Sequence, residues 1–311
     1  MAIQPVKESY SGKIREVELG SGPRAVKVGG AAAYPFHGFE GALGNPPRIA
    51  WEMWDAGAAD AWPDAVKAVY ADVINDPVAW AKKLENEFKA ELIALRLQST
   101  DPNGMNGSAD AAAETVKKVL AAITVPLIVC GVWNQAKDAE VIRKVADACE
   151  GKNVAICPIE EKNYKPLGAG AIASGSVAVA STPIDVNLAK QLNTLLGNLG
   201  IKDSKLLMDP TTGGLGYGLE YSFSVMERIR MAALVQQDDK MQQPMINFVS
   251  FETWKTKEAR MVDDKMGPAE ERAVAIEAMT AMTLLLAGSD LLVMRHPRAI
   301  AKVKEIIAEL S

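Results

Sequence analysis

The run Lys205-Leu-Leu-Met-Asp-Pro-Thr-Thr-Gly-Gly-Leu-Gly-Tyr-Gly-Leu-Glu-Tyr221 joins a short apolar stretch to a long amphipathic pattern through polar and glycine residues. It reads as a strand that hands over to a helix across a loop. Gly213, Gly214, Gly216 and Gly218 permit positive φ and close backbone approach, and the free N–H groups that open the next helix attract polar or anionic groups. A plain packing turn would also use glycine, so the joint gains meaning only from its repetition along the chain.

The unit does recur. Apolar runs at 48–53, 92–97, 126–130, 154–157, 176–180, 205–208, 245–249 and 290–294 make eight, and helical patterns separate them. Val116, Val119, Leu120 and Ile123, then Ile142, Val145, Ala146 and Cys149, carry the i, i+3, i+4, i+7 spacing of a core-facing helix. Pro77, Pro268 and Pro297 mark helix starts, with Asp76 as a cap ahead of the first. Continuous apolar strands, each followed by a helix, imply a parallel sheet covered by helices, and eight repeats favour a closed α/β barrel of the (β/α)8 TIM type over an open doubly wound sheet. Residues 13–19 and 25–28 flank the turn-like Gly20-Ser-Gly-Pro23 and read as a β-hairpin. Residues 1–47 are therefore expected to form a hairpin and arm, and 48–311 the barrel. The fourth unit is the weakest, because Pro166, Gly168 and Gly170 make 163–174 a poor helix.

Composition narrows the function. The chain has 311 residues, 49% of them hydrophobic, and a formal net charge of -5. Lys and Arg are dispersed among acidic residues, so the basic stripe that neutralises phosphates is missing and nucleic acid is not an expected partner. No apolar run reaches the roughly 18 residues of a membrane span, and a cytoplasmic location without membrane association is expected. Cys130, Cys149 and Cys157 lack a Cys-x-x-Cys pair, which argues against a disulfide framework and against a self-contained cluster or zinc site. With only His37 and His296, a histidine-rich metal centre is not expected, and His296 reads as a capping or packing residue.

Barrel ligands sit at the C-terminal ends of the strands. Glu52, Glu160, Asp209 and Glu252 are the carboxylates there that acid–base chemistry would recruit, although an acidic residue after a strand more often caps a helix. No lysine lies on an interior strand end for Schiff-base chemistry, and a glycine run after the sixth strand is misplaced for a barrel phosphate site. Gln98, Asn103, Asn134, Thr182, Thr211 and Thr212 offer both donors and acceptors and suit a large amide-bearing or heterocyclic ligand such as a pterin or a corrinoid.

The stretches Val28-Gly-Gly-Ala-Ala-Ala-Tyr-Pro-Phe36, Gln98-Ser-Thr-Asp-Pro-Asn-Gly104, Cys157-Pro-Ile-Glu-Glu-Lys-Asn-Tyr164 and Asp209-Pro-Thr-Thr-Gly-Gly-Leu-Gly-Tyr217 resemble the small, or delta, subunit of the corrinoid iron–sulfur protein of the carbon monoxide dehydrogenase/acetyl-CoA synthase system. The resemblance covers the whole chain, hairpin included. It implies a barrel that pairs with a larger subunit holding a [4Fe–4S] cluster, with a cobalt corrinoid (cobalamin) between the two. It further implies that the pair carries a methyl group from a methyltetrahydrofolate methyltransferase to acetyl-CoA synthase, the Wood–Ljungdahl route of carbon fixation in anaerobes. This chain would then be a carrier subunit and not a catalyst by itself. Asn103, Asn134, Thr211, Thr212, Gly213, Gly214 and Tyr217 are the expected corrinoid contacts, on position alone.

Two rivals remain. An autonomous pterin-dependent methyltransferase would use Asn134 and Asp209 on its strand ends, and a purely structural barrel would only dock the large subunit. Docking itself is expected at 29–47, with Trp54 and Trp62 at the interface and Trp51 in the barrel packing.

Overall fold

The structure is a computed structural model that describes residues 6–216 and 218–310. It opens with an antiparallel hairpin, β1 (Glu16–Leu19) and β2 (Val26–Gly29). The barrel strands follow as β3 (Arg48–Trp54), β4 (Leu92–Arg96), β5 (Leu127–Cys130), β6 (Ala155–Ile159), β7 (Val177–Ser181), β8 (Leu206–Asp209), β9 (Ile246–Asn247) and β10 (Leu291–Met294). Among the described residues the eight run parallel in the order β8-β7-β6-β5-β4-β3-β10-β9. A parallel bridge between Met208 and Met245, with Met208 N–H donating to Pro244 O at 2.9 Å, joins the two ends into a barrel. Each apolar run expected from sequence became a strand.

Two apolar layers hold the fold. One lies between strands and helices, and the other fills the barrel. Val17, Leu19, Val26 and Val28 of the hairpin belong to the inner cluster, together with Leu92, Ile128, Val177 and Leu207. Their alternation with exposed residues is the period of two expected of strands with one buried face. Burial of a side chain of this size stabilises by about 1.5–3 kcal/mol, enough to hold a small hairpin in place. Asn153, just before β6, fixes its position by donating through Nδ2 to Glu18 O and Gly20 O, both at 2.8 Å. The hairpin therefore plugs the N-terminal end of the barrel interior, and the C-terminal mouth is left open to a ligand.

The start signals act as read. Asp76 Oδ1 accepts from Val78 and Ala79 N–H, and the helix Pro77–Asn86 begins there. His296 Nδ1 accepts from Arg298 N–H at 3.2 Å, ahead of Pro297–Leu310, while its ring stacks on Trp254.

Two expectations need correction. Residues 164–174 form a full helix, Tyr164–Ser174. Pro166 falls in the first turn, where its missing N–H costs nothing, and a side chain at Gly168 would meet Leu199 Cδ2 at 2.5 Å, so the glycine permits close helix packing. Trp54 and Trp62 are buried, not at an interface: Trp62 meets Trp54, Tyr70 and Trp80 edge-on with centroids 5.2–6.2 Å apart. Trp51 is buried against Phe88, as barrel packing requires.

Candidate functional site at the barrel mouth

Inside the barrel Ala50, Ala94, Val179, Leu207 and Val293 are apolar. Two residues further along the same strands, on the same side of the pleat, stand Glu52, Arg96, Ser181, Asp209 and Arg295. The mouth is thus a polar ring on an apolar plug.

Glu52 on β3 and Arg295, just after the neighbouring strand β10, form a buried pair in which Arg295 Nη2 donates to both carboxylate oxygens at 2.9 Å. Trp54 Nε1 donates to Glu52 Oε1 at 2.6 Å, and Ser250 Oγ donates to Oε2. Burial pushes the Glu52 carboxyl up, but the Arg295 charge and these hydrogen bonds outweigh it and leave the pKa below the ordinary value. Glu52 is a fixed anion, unsuited to proton transfer.

Arg96 is the opposite case. It is 7% exposed, and its Nε and Nη1 have no protein hydrogen-bond partner. Its guanidinium lies 3.9 Å from the centre of the Phe251 ring, 5.2 Å from Trp54 and 5.5 Å from Trp133. Burial lowers its pKa to about 10, with Glu52 opposing. Trp133 stacks on Phe251 at 5.2 Å and meets Phe248 edge-on at 5.1 Å, and Lys255 Nζ lies 3.2 Å from the Phe251 centroid. Trp133 holds φ 59°, a costly conformation for a bulky side chain and one that clusters at ligand sites.

The opposite wall is the loop after β8. Asp209 is buried, and its Oδ1 accepts from Thr211 N–H at 3.0 Å. Burial raises its pKa to about 7, Glu160 and Glu252 add to the effect, and the Thr211 N–H opposes it. Thr211, at φ 67°, donates through Oγ1 to Thr182 O at 2.5 Å. Gly213 N–H donates to Ser222 Oγ, which in turn donates to Thr211 O. Asn247 Nδ2 donates to Thr212 Oγ1 at 3.4 Å, while Asn247 Oδ1, Thr182 Oγ1 and Glu160 Oε2 are buried without a partner. Buried polar atoms of this kind cost about 1–3 kcal/mol each unless a ligand or water satisfies them. Asp138 adds a further buried carboxyl, raised to about 6 by its burial, which accepts from Val132 N–H at 2.9 Å.

The residues singled out from sequence divide three ways. Thr211, Thr212, Gly213 and Gly214 share one wall, and a side chain on Gly214 would meet nothing within 4 Å, whereas one on Gly213 would strike Gly218 O at 2.4 Å. Asn134 caps the helix Gln135–Ala148, its Oδ1 accepting from Lys137 N–H, so that oxygen is already engaged. Asn103 lies in an exposed turn with its N–H on Asp101 Oδ1, and Tyr217 lies outside the described residues. Sequence reasoning passed over Arg96, Trp133, Asn247 and Phe251. The lone charge in Leu92-Ile-Ala-Leu-Arg-Leu97 was the signal for the first.

Asp209 gives a pH prediction. Its folded pKa lies above its unfolded value, so the proton it binds in the fold contributes stability that is complete below about pH 4 and lost as pH rises through 7. A displacement of that size is worth on the order of 4 kcal/mol across the window. Asp209→Asn should flatten the fall in urea-unfolding free energy between pH 5 and 8 by about 2 kcal/mol, Asp138 supplying part of the remaining slope. An unchanged slope would show that Asp209 is ionised in the fold.

The comparisons agree with this architecture. A family profile described as CO dehydrogenase/acetyl-CoA synthase delta subunit matches residues 16–307. The acetyl-CoA decarbonylase/synthase complex subunit delta of Archaeoglobus fulgidus is 37% identical over 99% of this chain and 71% of its own length. That of Methanopyrus kandleri is 37% identical over 94% of this chain and 74% of its own. Among solved structures, dihydropteroate synthase from Xanthomonas albilineans superposes with a TM-score of 0.59 at 14% identity, over 94% of this chain and 96% of that one. The Coxiella burnetii enzyme gives 0.58 at 11%, over 96% and 100%. At such identity the likeness establishes the barrel and nothing of the ligand. With the profile spanning hairpin and barrel together, the chain belongs to the CO dehydrogenase/acetyl-CoA synthase delta subunit family.

Proposed function

We propose that this chain is the barrel subunit of a heterodimeric corrinoid iron–sulfur methyl carrier, which acts in the cytoplasm with a larger subunit that holds the [4Fe–4S] cluster. The observation that carries the reading is the buried Arg96 guanidinium, whose Nε and Nη1 have no partner, set against Trp133 and Phe251 at the mouth. These are donors, and a corrinoid, whose rim bears amide carbonyls, is a ligand that can accept from them. Gly214 opens the loop wall, and Trp133 and Phe251 give a flat apolar surface. The residues fit the group.

When bound, the corrinoid supplies a nucleophilic cobalt that carries the methyl group from a methyltetrahydrofolate methyltransferase to acetyl-CoA synthase. The chain's part is to bind and to exclude water. Arg96 holds a rim amide, the loop 211–214 forms a wall, and the Glu52–Arg295 pair holds the ring of strand ends rigid beneath them. Among the described residues no group of three His, Cys, Asp or Glu is placed to hold a metal ion. Docking of that partner is proposed at the exposed Met231, Val235, Met279 and Leu286, which lie on or at the end of two helices in contact, Leu219–Leu234 and Ala269–Leu286.

Coexpression with the large subunit tests the reading through cobalt content and visible spectrum. A coloured complex with about one cobalt per heterodimer is expected from a site shared between two subunits. A colourless complex of full stoichiometry would overturn it. The pterin-dependent alternative keeps one observation in its favour, the buried Asp209 whose pKa burial raises to about 7, and titration of the isolated chain with methyltetrahydrofolate decides it.

A further inference from the structure

The stretch 28–36 belongs to a segment that the barrel mouth does not use. Residues 29–45 fold as a compact loop whose ends meet, with Asn45 N–H and Nδ2 both donating to Gly29 O at 2.8 and 3.0 Å and Ala32 N–H donating to Ala42 O. Compact loops of this length without secondary structure are uncommon in a domain and are frequently binding elements. This one is folded over the far end of the barrel from the mouth, against the segment that leads into β10.

Between loop and barrel lies a cavity of about 130 Å³. Ala33, Phe36 and Leu43 line it from the loop, Leu285 and Leu310 from two helices, and Arg230 from the helix Leu219–Leu234. Arg230 is 3% exposed. Its Nη2 is held by Gly288 O and by Asp290 Oδ2, the latter at 2.5 Å, and Asp290 Oδ2 also accepts from Met245 N–H. Arg230 Nη1 has no partner. One edge of a rigid guanidinium fork is thus clamped and another is left unsatisfied beside an apolar hollow. Phe36 lines the same hollow at φ 61°, backbone strain at a position where nothing in the barrel fold requires it.

We infer that this cavity is a binding site for a small monocarboxylate with a short apolar body, the carboxylate accepting from Arg230 Nη1 and the hydrocarbon lying against Ala33, Phe36, Leu43 and Leu285. Among the described residues Arg230 is the one cation of the lining: Asp290 takes its Nη2 and leaves Nη1 for one further acceptor of carboxylate geometry, and no second cation is present that a phosphate would need. Size decides the rest. A hollow of this volume holds a ligand of only a few heavy atoms, below the range of nucleotides or cofactors. The site is separate from the mouth and does not depend on what binds there.

The probe is isovalerate, titrated into the full chain by calorimetry, with isovaleramide as the neutral isostere. Saturable one-to-one binding of the acid is expected, with the amide at least about tenfold weaker. Ala33→Leu, which fills the hollow without touching Arg230, should weaken isovalerate by about tenfold or more while far-UV circular dichroism stays native. Arg230→Lys should act likewise by removing the fork; should it fail to fold, Ala33→Leu still decides the matter. No saturable binding up to about 50 mM, equal binding of acid and amide, or an unaffected Ala33→Leu variant would each overturn the assignment.

Discussion

Glu52→Ala is expected to lower the unfolding free energy by about 3–5 kcal/mol, the largest loss of any single change at the mouth. Arg295 would stay buried at 3% exposure with its two-pronged acceptor gone, 3.9 Å from the Trp62 ring and with Arg96 also near the vacated carboxylate. Trp54 Nε1 and Ser250 Oγ would lose their acceptor in the same step. In a chain of this size the loss should appear as a fall of roughly 2–4 °C in Tm per kcal/mol. The pair itself is not the source of stability, so Glu52→Leu combined with Arg295→Met should recover most of the loss. Because the folded Glu52 pKa is depressed, its contribution is complete above the ordinary carboxylate range and disappears only as pH falls through the folded value. Urea unfolding at pH 7 measures it, and a cost of Glu52→Ala below about 1 kcal/mol would show that the pair is solvated.

The barrel was legible because its signal is repeated. Each strand is a continuous apolar run bounded by polar turns, and an error of a residue or two at one end, as at 245–249 against Ile246–Asn247, leaves the rhythm intact. The tryptophans were not legible. Trp54 and Trp62 stand near a glycine- and proline-rich loop in the chain, but burial depends on which helices fold back over them, and that is a long-range property: Tyr70 and Trp80 complete their cluster. Gly168 misled for a related reason, since its helix cost is a local quantity and the close approach of Leu199 is not.

At the site, sequence spacing named the loop after β8 but ranked its residues by type. Asn134 offers an amide and spends it on a helix cap, and Gly213 offers a backbone N–H and spends it on Ser222. Arg96 went unnoticed in the sequence, yet its environment leaves two of its nitrogens unsatisfied. What decides whether a polar group can hold a ligand is the partner it already has, and no spacing rule contains that.

That distinction separates two neighbouring glycines. Gly214→Trp is expected to leave the fold intact, because its Cβ projects into open space with nothing within 4 Å and its φ is not in the left-handed region. The indole would then lie where the corrinoid is proposed to approach the wall, and the purified heterodimer should carry at least about tenfold less cobalt than the parent, a loss of 1.4 kcal/mol or more in retention. Gly213→Trp would lose cobalt too, but for the wrong reason: its Cβ would strike Gly218 O at 2.4 Å, open the turn held by Ser222, and unfold the loop whether or not a ligand is bound there. Circular dichroism and partner stoichiometry separate the two, since only Gly214→Trp should keep both while losing colour. Unchanged cobalt in a folded Gly214→Trp heterodimer would move the corrinoid off this wall and leave Arg96 and the Trp133–Phe251 stack as the surface to probe next.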